Sequence, residues 1–497
     1  MTVSSAAVDV GLHRALNSFA MNARARELVR RLASGGDARI ELDPETGLNR
    51  YLSAPYPRDI LAYSSSTISD ISAQAFAHLL EQSASLEARS YDAGLASLRG
   101  RIRAAFSLGE GDAQIVFAPS GTDLEYVALA CARGRADGGV HNILLGADEI
   151  GSGCIHSAHG RFFAGKTALD AATTPGETVP GCGPVSLVDV PVRCAAGRAR
   201  SSASITDEIA REIERARALG KHCLVHAVHG SKTGLVLPSL SDIDALLERY
   251  GPAVTVVVDA CQSRIMTPAI HAYLERGCLV LMTGSKFIGA PPFSGWALVP
   301  PAAASGATAL PGGFARIFRR AEWPEGWPGR GALEDSANLS LALRLTAAIF
   351  ELERFQAIPV ERVAQLIDAF QESVEAHLVS PLGLRRVCPY AEAGSAFAGP
   401  VEMRTLITLD VTALPGVESF EDAQALHRDL ALDGIRLGQP VKCVRRAGDG
   451  RGAWGATLRV GPSMPQMARW ARMSEAALAT ALADDMQRIA TAIRGRL

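Results

Sequence analysis

"TGSKFIGAPPFSG", residues 283–295, is the stretch on which the reading of this chain turns. Lys286 follows an apolar run, "CLVLM" (278–282), and behind it stands a loop of glycine and proline that suits neither a helix nor a central strand. A snorkelling surface lysine explains this poorly, because its flanks are apolar and rich in glycine. The amine is instead placed at the mouth of a buried strand. An amine in that place is suited to act as a nucleophile.

Outward from Lys286, short apolar runs alternate with helical segments. The runs are "AQIVFA" (113–118), "HNILLG" (141–146), "VSLVDV" (185–190), "HCLVHAV" (222–228), "TVVVDA" (255–260), "CLVLMT" (278–283) and "GWALVP" (295–300). Between them lie stretches such as "DLEYVALACARGRA", "SITDEIAREIERARALG" and "SDIDALLERY". Continuous apolar runs mark strands buried on both faces, and strand–helix alternation marks βαβ units. The pattern predicts an α/β fold with a mainly parallel sheet of roughly seven strands. Residues 301–333 read as loops. Helical spacing over 334–378 is split by Pro359, and "MRTLITLDV", "EDAQALHRDLALDG", "TLRVG" and a last helix from 475 form a smaller α/β unit. The predicted domains are a largely helical N-terminal segment over 1–112, a large domain over 113–320 and a small C-terminal domain with linking helices over 321–497.

Bulk composition narrows the function classes. The chain has 497 residues, 48% hydrophobic and 21% charged, enough for a sizeable core. A formal net charge of −2 gives no electrostatic reason to expect nucleic acid or an anionic membrane as partner. Nine cysteines are scattered with no C-x-x-C pair, which fits reduced thiols better than disulfides or a metal site. No signal peptide and no membrane span are read from the sequence, so a cytoplasmic protein is expected.

Ligands of open parallel sheets bind beyond the carboxyl ends of the strands. After "AQIVFA" come Ser120, Gly121 and Thr122 at a helix start, either an anion cradle or an ordinary N-cap. After "TVVVDA", Asp259 ends a β-branched run, and Gln262 follows three residues on. A buried carboxylate needs a partner, either local backbone or a cationic ring nitrogen. After "CLVLMT" come Ser285 and Lys286. Together these name a phosphate, a pyridinium and an aldehyde, the parts of pyridoxal phosphate held by a lysine.

The order "PSGTD … VDACQ … TGSKFIGAP" resembles the fold-type-I pyridoxal-phosphate enzymes with their aspartate-aminotransferase-like large domain, and most closely the class V aminotransferase and cysteine desulfurase group. The resemblance implies that Lys286 forms the internal aldimine, Asp259 pairs the pyridine nitrogen and Gln262 meets the phenolic oxygen. It further implies that Gly121, Thr122 and Ser285, with Ser120 at the same helix start, hold the phosphate, and that the chain forms a homodimer. In "ATLRVGPS", Arg459 would grip the carboxylate of an amino-acid substrate, as suits its planar fork. In "HGSKTG" (229–234), His229, Ser231 and Lys232 face the site or serve the turn alone. Cys443 in "GQPVKC" is either a sulfur-attacking nucleophile, as in desulfurases, or a small buried hydrophobe. The sequence departs from the group at Ser285, where histidine often stands, and at the ring-stacking position, for which His156 and Ile150 are candidates. At 334–338, where the group has a Gly-Thr pair, Ser336 is the one hydroxyl on offer to a partner's phosphate.

The expected activity is chemistry at Cα of an amino acid through an external aldimine and a quinonoid carbanion: transamination, or elimination or replacement at Cβ or Cγ. The alternatives are a cysteine desulfurase using Cys443 and a catalytically silent binding protein of the same fold. No metal site is expected.

Overall fold

The computed structural model describes residues 22–151, 153–388, 400–446 and 453–497, so residues 1–21 of the N-terminal segment lie outside it. The rest of that segment holds the helices Ala23–Leu32, Ala73–Ala88 and Tyr91–Ala105 and one short strand, β1 (Leu61–Tyr63). The large sheet contains β2 (Gln114–Ala118), β3 (Val140–Leu145), β4 (Val185–Val190), β5 (His222–His229), β6 (Val236–Leu237), β7 (Val254–Asp259), β8 (Leu279–Thr283) and β9 (Gly295–Val299). Its order is β2-β9-β8-β7-β5-β3-β4, with β6 paired to the end of β5. Neighbours from β8 to β4 are parallel, while β9 runs antiparallel to both β2 and β8.

All seven predicted strands are present, and β6, a two-residue strand, is the eighth. Every residue of β5, β7 and β8 is buried, which is why these strands read as unbroken apolar runs rather than as alternation. Each valine or leucine so buried contributes roughly 1.5–3 kcal/mol. The helix Gly121–Ala132 packs against the same sheet. Its residues from Thr122 to Ala132 are all buried, so it is apolar all round.

The C-terminal part adds β10 (Arg385–Arg386), β11 (Ile407–Asp410), β12 (Ile435–Leu437) and β13 (Thr457–Val460), with the order β10-β11-β13 in an antiparallel sheet. β12 pairs in parallel with β1, so the N-terminal segment supplies a strand to the C-terminal part. The helices Leu339–Gln356 and Val360–Val374 flank Pro359, as the spacing predicts. No described helix is long and apolar enough to cross a membrane.

The loop after β8 shows why glycine is needed there. A Cβ on Gly284 would lie 2.4 Å from the Ala348 Cβ, and Gly289 has φ +82 with Pro465 Cδ at 2.6 Å from where its Cβ would stand. Packing of this loop against Ala348 and Pro465 leaves no room for a side chain at these two positions, which flank Lys286.

Candidate active site

A cavity of about 1130 Å³ opens at the carboxyl ends of β2, β5, β7 and β8. Ser120, Gly121, Thr122, Asp259, Ser285, Lys286 and Arg459 all line it. These residues come from the segments after β2 and β8, from the end of β7 and from β13, so only the folded chain brings them together.

The start of the helix Gly121–Ala132 forms one end of the cavity. Ser120 caps the helix and its hydroxyl donates to Asp123 at 2.5 Å. Arg39 reaches in from the N-terminal segment, donating to Thr122 Oγ1 at 3.2 Å and Ser120 Oγ at 3.1 Å. Its guanidinium is held by Asp37 (2.7 Å) and lies between the rings of Phe163 and Phe293 at 5.0 and 4.7 Å. Burial opposes its charge, but the Asp37 hydrogen bonds and charge outweigh that and raise its pKa. Burial pushes the Asp123 carboxyl up to about 6. Phe293 adopts φ +70, a strained conformation for a bulky residue, and its carbonyl accepts from the buried Arg344 Nε at 2.9 Å. The held backbone keeps an aromatic face against Arg39.

Asp259 ends β7 and accepts from Cys261 N at 2.9 Å through Oδ1. It has no ion-pair partner among the described residues. The Lys286 amine has neither a hydrogen bond nor an ion pair among them. Beneath Asp259 lies a buried contact of 3.5 Å between Glu125 Oε2 and His226 Nε2. Burial, aided by Asp259, raises the Glu125 pKa, and burial lowers that of His226 to about 4. Cys154 and Cys261 line the cavity as well, both with burial raising their thiols.

Arg459 is buried in β13. Its guanidinium donates to Gln439 O (2.7 Å), Lys232 O (2.9 Å), Ser66 O (3.3 Å) and Thr67 Oγ1 (3.1 Å). All four acceptors are neutral, and no carboxylate pairs with it among the described residues. Burial lowers its pKa to about 10.

Three expected residues stand elsewhere. Gln262 does not line the cavity: its amide donates to Ser66 O at 3.0 Å and accepts from Arg264 at 2.8 Å, which commits both ends. His229 also stands outside, with Nδ1 3.1 Å from the Tyr273 hydroxyl and Nε2 3.6 Å from Glu402. Cys443 is buried outside the cavity, and burial pushes its thiol up to about 12, which removes the thiolate a nucleophile needs. At the stacking position neither His156 nor Ile150 lines the cavity; Gly151 and Cys154 do. Ser336 is exposed, 3.5 Å from Glu334. Arg39 and Phe293 were not singled out in the sequence. No group of three or more His, Cys, Asp or Glu residues able to hold a metal is found among the described residues.

No family model matches the sequence, and no curated protein does. Solved structures do match. A NifS-like protein shares 12% identity at a TM-score of 0.51, over 87% of this chain and 99% of its own. The cystine C-S lyase C-DES, in complex with its product cysteine persulfide, shares 17% at 0.52, over 86% and 97%. An alanine–glyoxylate aminotransferase from Nostoc sp. shares 13% at 0.52, over 88% and 95%. The chain has their aspartate-aminotransferase-like fold. At these identities the likeness is one of fold.

Proposed function

We propose that this protein is a pyridoxal-phosphate enzyme acting at the α-carbon of an amino-acid substrate. The observation that carries the reading is one cavity holding an amine, Lys286, and a carboxylate, Asp259, neither with an ion pair among the described residues, and a cationic hydroxyl cradle of Arg39, Ser120 and Thr122. The residues fit the cofactor. Arg39 and the helix start match a phosphate. Asp259 matches a protonated ring nitrogen, and Lys286 would hold the group covalently through its amine. Fold neighbours that include a C-S lyase and an aminotransferase support the same reading.

When bound, pyridoxal phosphate supplies a sink for the electron pair left at the substrate's α-carbon. Asp259 would pair with the protonated ring nitrogen and so favour that sink. Lys286, besides holding the group, would accept and return the proton at the α-carbon. Arg459 orients the substrate carboxylate, and the buried cavity floor keeps water from the reacting carbon. Transamination and elimination or replacement at Cβ or Cγ share these roles. The desulfurase alternative through Cys443 is disfavoured by the burial and raised pKa of that thiol.

Purified protein supplied with pyridoxal phosphate should turn yellow, and a panel of L-amino acids should shift the band with at least one member. A colourless protein would overturn the cofactor assignment. A yellow protein whose band no amino acid moves would make it a silent binder.

A further inference from the structure

The cavity holds more positive charge than a cofactor and one carboxylate require. Beyond the cradle at Arg39, Lys232 and Arg459 both line the cavity, and the Arg459 guanidinium donates to the Lys232 backbone carbonyl at 2.9 Å. The Lys232 ammonium donates to Asp148 O at 2.8 Å, a neutral carbonyl, and has no ion pair among the described residues. The Glu149 carboxylate, which acts on it electrostatically, is already taken by Arg193, Ser231 and Thr233. The Asp148 carboxylate is exposed at the rim and makes no ion pair with Lys232. Burial, the Arg459 charge and the Lys286 charge all work against the ammonium and lower its pKa to about 8. Arg459 is buried and Lys232 half-buried, and neither has an ion pair among the described residues, so an anionic ligand would satisfy both. Arg50, Arg428 and Lys442 also line the cavity, exposed and without ion pairs among the described residues, beside the exposed acids Glu41, Asp43 and Asp148, of which Glu41 is paired with Lys166.

We propose that Lys232 and Arg459 form a two-point anion site, so that the substrate carries a second acidic group besides its α-carboxylate. Arg459 takes the α-carboxylate and Lys232 the second group, which makes Lys232 the residue that separates acidic from neutral amino acids. This rests on the role given to Arg459 above.

The test is titration calorimetry of the holoprotein with succinate and glutarate, and with propionate and butyrate as single-carboxylate controls. The dicarboxylates should bind at least about tenfold more tightly, the gain of one charge-assisted hydrogen bond. Lys232→Met should bring the two classes within about twofold while leaving butyrate nearly unchanged, and Lys232→Arg should keep the preference. Equal affinities in the parent protein, or an equal loss for both classes in Lys232→Met with Lys232→Arg no better, would overturn the proposal. The cofactor reading fails separately. If no cofactor adduct forms on Lys286 yet the dicarboxylate preference stands, the anion site survives and the assigned chemistry does not. If the adduct forms and the preference is missing, only the two-point site is lost.

Discussion

Two polar clusters sit side by side at the strand ends, and they are built on opposite plans. Around Glu149 every charge is answered. Arg193 lies 2.7 Å away, Ser231 donates at 2.7 Å and Thr233 N at 3.0 Å, while Arg193 also reaches Thr233 and Gly197 O. The cluster ties together the loops that follow β3, β4 and β5, and it leaves nothing for a ligand. Around Lys286 the charges are left open: an amine, a carboxylate and two further cations share one cavity without ion pairs among the described residues. Glu149, Asp259 and Arg459 are buried, while Lys286 and Lys232 are half-buried. A closed network of buried charge holds loops in place; an open one expects a guest.

The largest expected effect breaks the open cluster. Lys286→Ala should lose the covalent cofactor and lower turnover by at least about a thousandfold, beyond what proton transfer alone contributes at its lower bound. The loss should be read from turnover and from the visible spectrum of the protein. Asp259→Asn keeps the shape but loses the charge, and should slow exchange of the α-proton by on the order of a hundredfold or more, measured by deuterium incorporation. Near-normal exchange would remove Asp259 from the ring nitrogen.

The closed cluster should answer in stability instead. Glu149→Gln leaves Arg193 buried beside a neutral amide and should cost about 3 kcal/mol in denaturant unfolding. Burial works against the Glu149 charge, but Arg193 and the hydroxyls prevail and hold its pKa below the ordinary value. Its contribution is therefore complete above the usual glutamate range and fades as pH falls through the depressed value, so the Gln variant should lose less stability on acidification than the parent. The smallest effect belongs to Cys443→Ser: turnover within about twofold, since the thiol lies outside the cavity and a buried cysteine acts as a small hydrophobe. Abolished turnover there would restore the desulfurase alternative.

What could be read in advance follows from the range of the signal. The large sheet announces itself because β5, β7 and β8 are buried on both faces, and Lys286 and Asp259 stand out because charge ends such a run. Two- and three-residue strands carry no such signature: β6 is set by a turn, and β1 by pairing with β12 more than 370 residues away, Leu61 opposite Ile435. Arg39 sits in "GGDARIELD", where nothing local separates it from a surface arginine; its role comes from meeting Ser120 and Thr122 across the fold. Gln262 has the expected place after Asp259, but Arg264, two residues on, and the Ser66 carbonyl turn its amide aside. His229 is turned by Tyr273 in the same way. Position along a strand end is legible; the direction of a side chain depends on neighbours that only the fold supplies.

The central claim is that Lys286 carries the cofactor. Borohydride reduction of the yellow protein, followed by digestion and peptide mass mapping, tests it directly. The reduced phosphopyridoxyl group should appear on the peptide containing "TGSKFIGAPPFSG", at Lys286. An adduct on Lys232 or any other amine, or none at all, would contradict the account.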